Sequence, residues 1–363
     1  MAGDHLIELS RLRDAVHEVV RGFGSAPAEV ERVAAALVEA NLRGHDSHGI
    51  GMLPRYAEAF REGGLVPNTS VTVRLDTGTL LGLDGGAGFG QVVGGEAMRL
   101  GIERAREHGS CIVALGNAHH LGRIGEWAEM AVAAGLVSIH FVNVISRPIV
   151  APWGGRDARL GTNPFAIGIP VEGSDPFVLD MATSVIAQGK TRVAHNKGVP
   201  LAPGQLLDDQ GRPTTDPVYG VLQPLGALLP FGEHKGFGLS LACELLGGAL
   251  AAGMSVSGAA DGQRRVLNGM LTILIDPASL ADAEAFQEQM KASIAWVKAS
   301  PPREGVEQVL TAGEPERAAR AARSTHGVPV DAATWSEILR AADSLGVSSD
   351  GLNRLAGLAA GVR

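Results

Sequence analysis

The hydrophobic period of this chain changes twice, and that change limits its fold more than any single motif. Near the N-terminus, Leu12, Val16, Val19, Val20 and Phe23 recur at helical spacing, followed by Val30, Val33, Ala34, Leu37 and Val38. Such spacing places each set on one face of an amphipathic helix. Ser10 is expected to cap the first helix, with Gly22 and Gly24 stopping it. The second starts after Ser25, carries Pro27 in its first turn and ends near Gly44. From about residue 72 the pattern becomes strand-like in VTVRLD, TLLGLDG, SCIVALG and SIHFVNV. The helical stretches QVVGGEAMRLGIERAREHG and EWAEMAVAAG alternate with these, which predicts an α/β layer.

Further on, FAIGIP and FVLDMA read as short strands and NKGVPLAPGQLLDDQGRPTTDP as a long loop. GFGLSLACELLGGALAAG reads as a buried helix and GMLTILIDP as a strand. Helical spacing then returns, ending in a last helix after Asp331 with Trp335, Ile338, Leu339, Ala342 and Leu345 on one face. The fold class expected is therefore mixed α/β with helical ends. At 363 residues, the chain fits two or three subdomains.

Composition removes several function classes. A net charge of −8 with scattered lysines argues against a nucleic-acid partner. The two cysteines, Cys111 and Cys243, lie in apolar stretches, so no disulfide scaffold or zinc knuckle is expected. MAGDHLIEL lacks a signal-peptide pattern, and LSLACELLGGALAAGM is broken by Glu244, so a cytoplasmic protein without a membrane span is expected.

Two motifs invite nucleotide readings and fail. LDGGAGFGQVVGGEAM joins a strand to a helix, but its glycines miss the G-x-G-x-x-G register and the next strand ends ALGNAHH without an acid for the ribose. AQGKT lacks the first glycine of a phosphate loop, since position 184 is Ser184.

The histidines are more informative. His45 and His48 lie in GHDSHGIG, His119 and His120 in GNAHHLGRIG, and His234 in PFGEHKGFG. Each is a glycine-bearing loop at an element end, where α/β proteins keep ligands. A positioned imidazole exchanges protons near neutral pH, with Ser47 and an aspartate able to fix its tautomer. The plain alternative is a solvated histidine at a helix C-terminus. Arg123 and Lys235, each at a helix start, are candidate anion contacts, though an exposed lysine is the simpler reading of Lys235. A metal hydrolase built on His45, Asp46, His48, His119, His120 and Asp180 competes, on a weak H-x-x-H signal.

Six ordered motifs go further: DSHGIGMLPRY, GNAHHLGRIG, VAPWGGRDARLGTNPFAIGIP, VLDMATSVIAQGKTRVAHNKGVPL, GRPTTDP and GEHKGFGLSLACELLGGAL. Together they resemble the malate/L-lactate dehydrogenase family of the non-Rossmann type, and most of all its hydroxycarboxylate dehydrogenase B branch. The resemblance implies an NAD(P)-dependent 2-hydroxyacid dehydrogenase, a 2-oxo acid reductase, with NAD or NADP as cofactor and a homodimer as the working form. It implies a mixed-sheet, non-Rossmann cofactor region over 73–314 and a helical domain joining 1–72 to 315–363.

By the same resemblance His48 is the proton donor and Ser47 and Asp180 belong to its relay. His120 lies beside nicotinamide and substrate. Gly122, Arg123 and Ile124, then Val178, Leu179, Asp180, Met181 and Ala182, then His234 and Lys235, then Gly313 and Glu314 are expected to meet the cofactor. Thr162 is a candidate substrate contact, and no metal is expected. Two positions depart from the pattern. Many relatives carry an arginine four residues after the histidine to clamp the substrate carboxylate, where this chain has Met52. Arg55, Arg123 or backbone amides are the candidates in its place, and Met52 predicts a larger pocket that favours bulky acids such as phenylpyruvate over pyruvate. Glu126 stands where relatives often have an aromatic residue, which leaves open a protein that binds nucleotide without turnover.

Overall fold

The computed structural model describes residues 4–258 and 265–358. The chain opens with β1 (His5–Ile7), α1 (Leu9–Arg21), α2 (Pro27–Leu42) and α3 (Leu53–Arg61). The apolar stripes of α1 and α2 are buried, as their spacing requires. The cap of α1 differs from expectation. Glu8 is the N-cap, and its carboxylate accepts the Ser10 and Arg11 amides at 2.9 and 3.3 Å. The helix begins at Leu9, so Ser10 already lies inside the first turn and cannot cap it.

A sheet layer follows: β2 (Thr72–Asp76), β3 (Leu80–Asp84), α4 (Gly90–His108), β4 (Ser110–His119), α5 (Gly125–Ala133), β5 (Val137–Val142), β6 (Phe165–Ile169) and β7 (Phe177–Met181). Next come α6 (Gln188–Lys197), the two-residue strands β8 (Leu206–Leu207), β9 (Pro213–Thr214) and β10 (Ala227–Leu228), and α7 (His234–Cys243). The strand β11 (Leu267–Ile275) and the helices α8 (Pro277–Leu280) and α9 (Ala283–Lys298) complete this part.

The main sheet has seven strands in the order β2-β3-β4-β11-β5-β6-β7. Only β3 and β4 pair in parallel; every other neighbour is antiparallel. The β-α-β-α-β alternation is present, but β4 and β5 do not touch as strands because β11 lies between them. This late strand is buried along nearly its whole length, as a central strand must be. The α4 and α5 side chains pack with β3, β4 and β11 in one core around Trp127, Met98 and Leu115.

Two elements correct the sequence reading. The 196–217 stretch is not wholly loop, since its first two residues end α6 and β8 and β9 pair with β10 in a small three-stranded sheet. The helix α7 continues as a π-helical segment, Glu244–Leu250, and it is not buried all round. Leu241, Leu245 and Leu250 are 39%, 54% and 66% exposed, whereas Glu244 is buried and accepts the Asn163 amide at 2.9 Å and the Val256 N–H at 2.6 Å.

The chain then returns through α10 (Glu314–His326), β12 (Val328–Val330), α11 (Ala332–Ser344) and α12 (Ser349–Ala356) to the N-terminal helices. β12 pairs antiparallel with β1, His5 opposite Val330. One hydrophobic core draws on both chain ends, from Ile7 through Leu65 and from Val328 through Ala356.

Candidate active site

The stretch GHDSHG leaves α2 as a single 3-10 turn, Asp46–His48. Asn41, in the last turn of α2 and buried, holds it. Its side-chain carbonyl accepts the Ile50 N–H at 2.8 Å and its amide donates to Asp46 at 2.7 Å. Arg323 of α10 closes a fork on the other side of the Asp46 carboxylate, at 2.6 and 3.1 Å. A side chain on Gly49 would put its Cβ 2.0 Å from Asn41 Oδ1. The close approach this glycine permits is therefore that of Asn41.

His119 ends β4 and His120 follows it, so the two rings leave the strand on different sides. The glycine cluster that failed the dinucleotide pattern has a structural role here. A Cβ on Gly90 would lie 2.3 Å from the carbonyl oxygens of both His119 and His120. The start of α4 thus packs directly on the histidine backbone.

The imidazoles of His48 and His120 stack at 5.3 Å with an 8° interplanar angle, and His48 Nδ1 lies 3.2 Å from His120 Nε2. Tyr56 Oη, from α3, sits 2.7 Å from His120 Nδ1, and Gln91 Nε2 donates to that phenol oxygen at 2.8 Å. These contacts assign the protons. The phenol accepts from Gln91 and donates to His120 Nδ1, so His120 carries its proton on Nε2 and donates to His48 Nδ1. His48 is then left with its proton on Nε2.

Electrostatics keep this cluster neutral. Burial drives His48 down to about 4, opposed by the Asp180 carboxylate and assisted by His45 and Arg123. Burial likewise holds His120 well below the ordinary imidazole value, with His48, His119 and Arg55 adding to it. His119 falls to about 3, mainly by burial, and Tyr56 is raised for the same reason. His119 is 1% exposed, and neither ring nitrogen has a hydrogen-bond partner.

The remaining candidate residues fall into three groups. Asp180, in β7, accepts the Gly125 N–H at 2.8 Å and so caps the start of α5. The carboxylate acts on His48 through space and bonds to the helix, not to Ser47. Ser47 is exposed and faces Gly189, whose Cβ would lie 3.2 Å from that of Ser47. Arg123 is 3% exposed and pairs with Glu129 at 2.5 Å, which in turn meets Arg43 at 2.9 Å. Ile124 is buried beside it, and Gly122 adopts φ +75°.

Val178 and the 313–314 turn meet where the Val178 N–H donates to Ala312 O at 3.3 Å, and Glu314 accepts the Thr311 N–H at 2.8 Å while pairing with Lys298. Leu179 and Met181 continue β7 to Ala182. His45 lies 3.5 Å from Glu316. The other Glu316 oxygen, Oε2, is buried without a partner. His234 and Lys235 are exposed at the start of α7, which the Phe231 N–H ties to Thr183 O at 3.0 Å. Thr162 offers its carbonyl to the Thr183 N–H and hydroxyl, both at 2.9 Å.

The third group surrounds a cavity of about 230 Å³ lined by Met52, Arg55, Tyr56, His119, Arg147 and Gln188 among others. Glu126 does not face it; that carboxylate pairs with Arg32 at 2.5 Å, and Arg32 also lies over the Trp127 ring. Among the described residues no group of three His, Cys, Asp or Glu side chains is arranged to hold a metal ion. The four histidines proposed as ligands part company: His45 goes to Glu316, His48 to His120, and His119 to the cavity.

A profile of the malate/L-lactate dehydrogenase family matches residues 7–339. The chain belongs to that family. Hydroxycarboxylate dehydrogenase B of Escherichia coli strain K12 is 46% identical over 354 residues, 97% of this chain and 98% of that protein. The L-lactate dehydrogenase of Cupriavidus necator is 39% identical over 345 residues, 94% of this chain and 98% of the relative. Among solved structures, the sulfolactate dehydrogenase of Methanocaldococcus jannaschii superposes with a TM-score of 0.84 at 33% identity, covering 96% and 99% of the two chains. An Escherichia coli structure assigned to the malate/lactate dehydrogenases reaches 0.93 at 45% identity, covering 97% and 99%.

This member of the malate/L-lactate dehydrogenase family is a 2-hydroxyacid oxidoreductase of an NAD(P)-dependent group. The metal-hydrolase alternative gives way to that assignment. Sequence reading missed Tyr56, Gln91, Asn41, Arg147, Glu316 and Arg323. Tyr56 falls on the apolar face of α3 and looks like an ordinary core aromatic, and Arg323 is 277 residues from the aspartate it holds.

Proposed function

We propose that this protein reduces a 2-oxo acid with a nicotinamide cofactor, and that His48 Nε2 delivers the proton to the carbonyl oxygen. The single observation that carries this reading is the stacked His48–His120 pair with Tyr56 behind it. Bound reduced nicotinamide supplies a hydride to the carbonyl carbon. The remaining steps belong to the chain itself.

His48 meets the developing alkoxide with its Nε2 proton, which stabilises charge as it grows. A protonated His48 reverses the neighbouring bonds. Its Nδ1–H donates to His120 Nε2, and His120 Nδ1–H donates to Tyr56 Oη, which has lone pairs for both His120 and Gln91. The ring therefore keeps its orientation in both charge states.

The cofactor residues in this proposal are Gly122, Arg123, Ile124, Val178–Ala182, His234, Lys235, Gly313 and Glu314. Glu316 joins them. Its unpartnered buried Oε2 suits a sugar hydroxyl donor, and this fits a dinucleotide better than a bare phosphate. Arg123 is already engaged by Glu129, so its contribution is positioning and field rather than a free phosphate clamp.

The assay mixes metal-free protein with NADH or NADPH and a panel of 2-oxo acids and follows absorbance. A His48→Ala variant is expected to bind the cofactor normally and lose roughly 10²- to 10⁴-fold in kcat, the usual contribution of a positioned general acid. Undiminished turnover in that variant would remove His48 from the proposed role. A protein that bound NADH yet oxidised it with no acid would instead favour a nucleotide-binding role without turnover.

A further inference from the structure

The family resemblance places an arginine for the substrate carboxylate, in many members, at the position of Met52, so another group must take that charge if the proposed reduction occurs here. The cavity beside Tyr56 supplies candidates from two separate parts of the chain. Arg55 comes from α3, and Arg147 from the loop that follows β5. Among the described residues neither guanidinium has an ion pair or hydrogen bond; Arg55 is lowered by burial first and by Arg147 second, with Glu58 opposing, and Arg147 is lowered by burial. Arg55, Arg147 and Arg265 face one cavity whose lining holds a single carboxylate, Glu58; this excess of like charge raises the energy of the empty state, and an anion relieves it.

A second observation points to the same ligand. His119 lines this cavity, is 1% exposed, and leaves both ring nitrogens unpartnered. A buried donor without an acceptor costs free energy until a ligand satisfies it. Burial keeps this imidazole neutral, so it brings one N–H and no further charge. The cavity also adjoins the reacting pair, because Tyr56 lines it while bonding His120.

We propose that Arg147 and Arg55 together clamp the carboxylate of the 2-oxo acid, with a neutral His119 N–H as the third contact. Arg147 is the specificity-determining residue in this arrangement, and it does the work of the arginine missing at position 52. The cavity then admits acids whose carboxylate lies on the Arg147 side of Tyr56 and whose carbonyl reaches His48. The inference rests on the proposed reductase reading.

The test compares wild type with Arg147→Ala, Arg147→Gln and Arg147→Lys. KM for phenylpyruvate in the alanine variant is expected to rise roughly 10- to 100-fold, the loss of one charge-assisted pair. NADH affinity should stay within about twofold, which reports an intact fold. Wild type should strongly prefer phenylpyruvate over its methyl ester, and the alanine and glutamine variants should lose most of that preference. Lysine should restore part of it. Calorimetry with oxamate on the NADH-saturated protein gives an independent reading: binding should depend on Arg147 whether or not any acid turns over. Unchanged KM, ester discrimination and oxamate affinity in Arg147→Ala would overturn the clamp. Oxamate binding that depends on Arg147 in a protein that reduces no acid would keep the clamp and discard the reductase reading.

Discussion

At the scale of single residues, the unusual property is that the proposed proton donor is neutral when the protein is at rest. His48 is driven to about 4 by burial, with Asp180 opposing. The sign of its pH dependence follows. Oxidation of a hydroxy acid needs neutral His48 to accept a proton, so kcat/KM in that direction should be flat above roughly pH 5 and fall as pH drops through about 4. Reduction needs the protonated ring, so its kcat/KM should decline about tenfold per pH unit above that value. The stacked pair titrates as a unit, and its profile yields an apparent constant for both rings. Asp180→Asn removes the charge that favours protonation and should move both limbs to lower pH. Profiles measured in both directions decide this, and limbs that stay put in the Asp180→Asn variant would exclude Asp180 from the relay. His48 itself was legible in the sequence, because a histidine between glycines just past a helix is unusual. Its acidity was not, since burial depends on α3, α4 and β4 meeting in space.

At the scale of elements, the His48 turn is held from the α2 side by one amide. Asn41 bridges the Ile50 N–H and the Asp46 carboxylate, and Gly49 leaves the space it fills. Gly49→Ala brings a Cβ within 2.0 Å of Asn41 Oδ1, so either the turn or the amide must move. Overpacking of this sort costs about 1–3 kcal/mol, and a shift of about 1 Å at a catalytic group can cost on the order of 10²-fold in rate. The variant should thus lose far more kcat/KM than thermal stability; parallel losses would mean that the turn does not set the position of His48. The helices and strands were largely readable, because stripes such as Leu12 to Phe23 follow the period of the element. What periodicity could not give was sheet order. β11 and β5 carry similar apolar runs, and nothing in either says that the later strand enters between β4 and β5. The Gly90 contact was hidden in the same way, since its partner is a backbone brought in by tertiary packing.

At the scale of the whole molecule, one apolar row stands open on α7 and its extension. Leu241, Leu245 and Leu250 form an exposed row along α7 and its π-helical extension. We propose a homodimer and expect this row to be covered in it, since monomers rarely leave such patches free. Sedimentation should give twice the chain mass for wild type and a shift toward monomer for the Leu245→Asp, Leu250→Asp double variant; a monomeric wild type would end that proposal. The helical unit joins both chain ends through the pairing of β1 with β12, and Arg323 in α10 reaches back to Asp46. That tie has a consequence for biosynthesis. The ribosome makes the aspartate 277 residues before the arginine that anchors it. At roughly 5–20 residues per second, the interval is on the order of 15–50 s. A nascent chain therefore holds the His48 turn by Asn41 alone until its final segments emerge, and any product of premature termination before α10 lacks the Arg323 fork on Asp46.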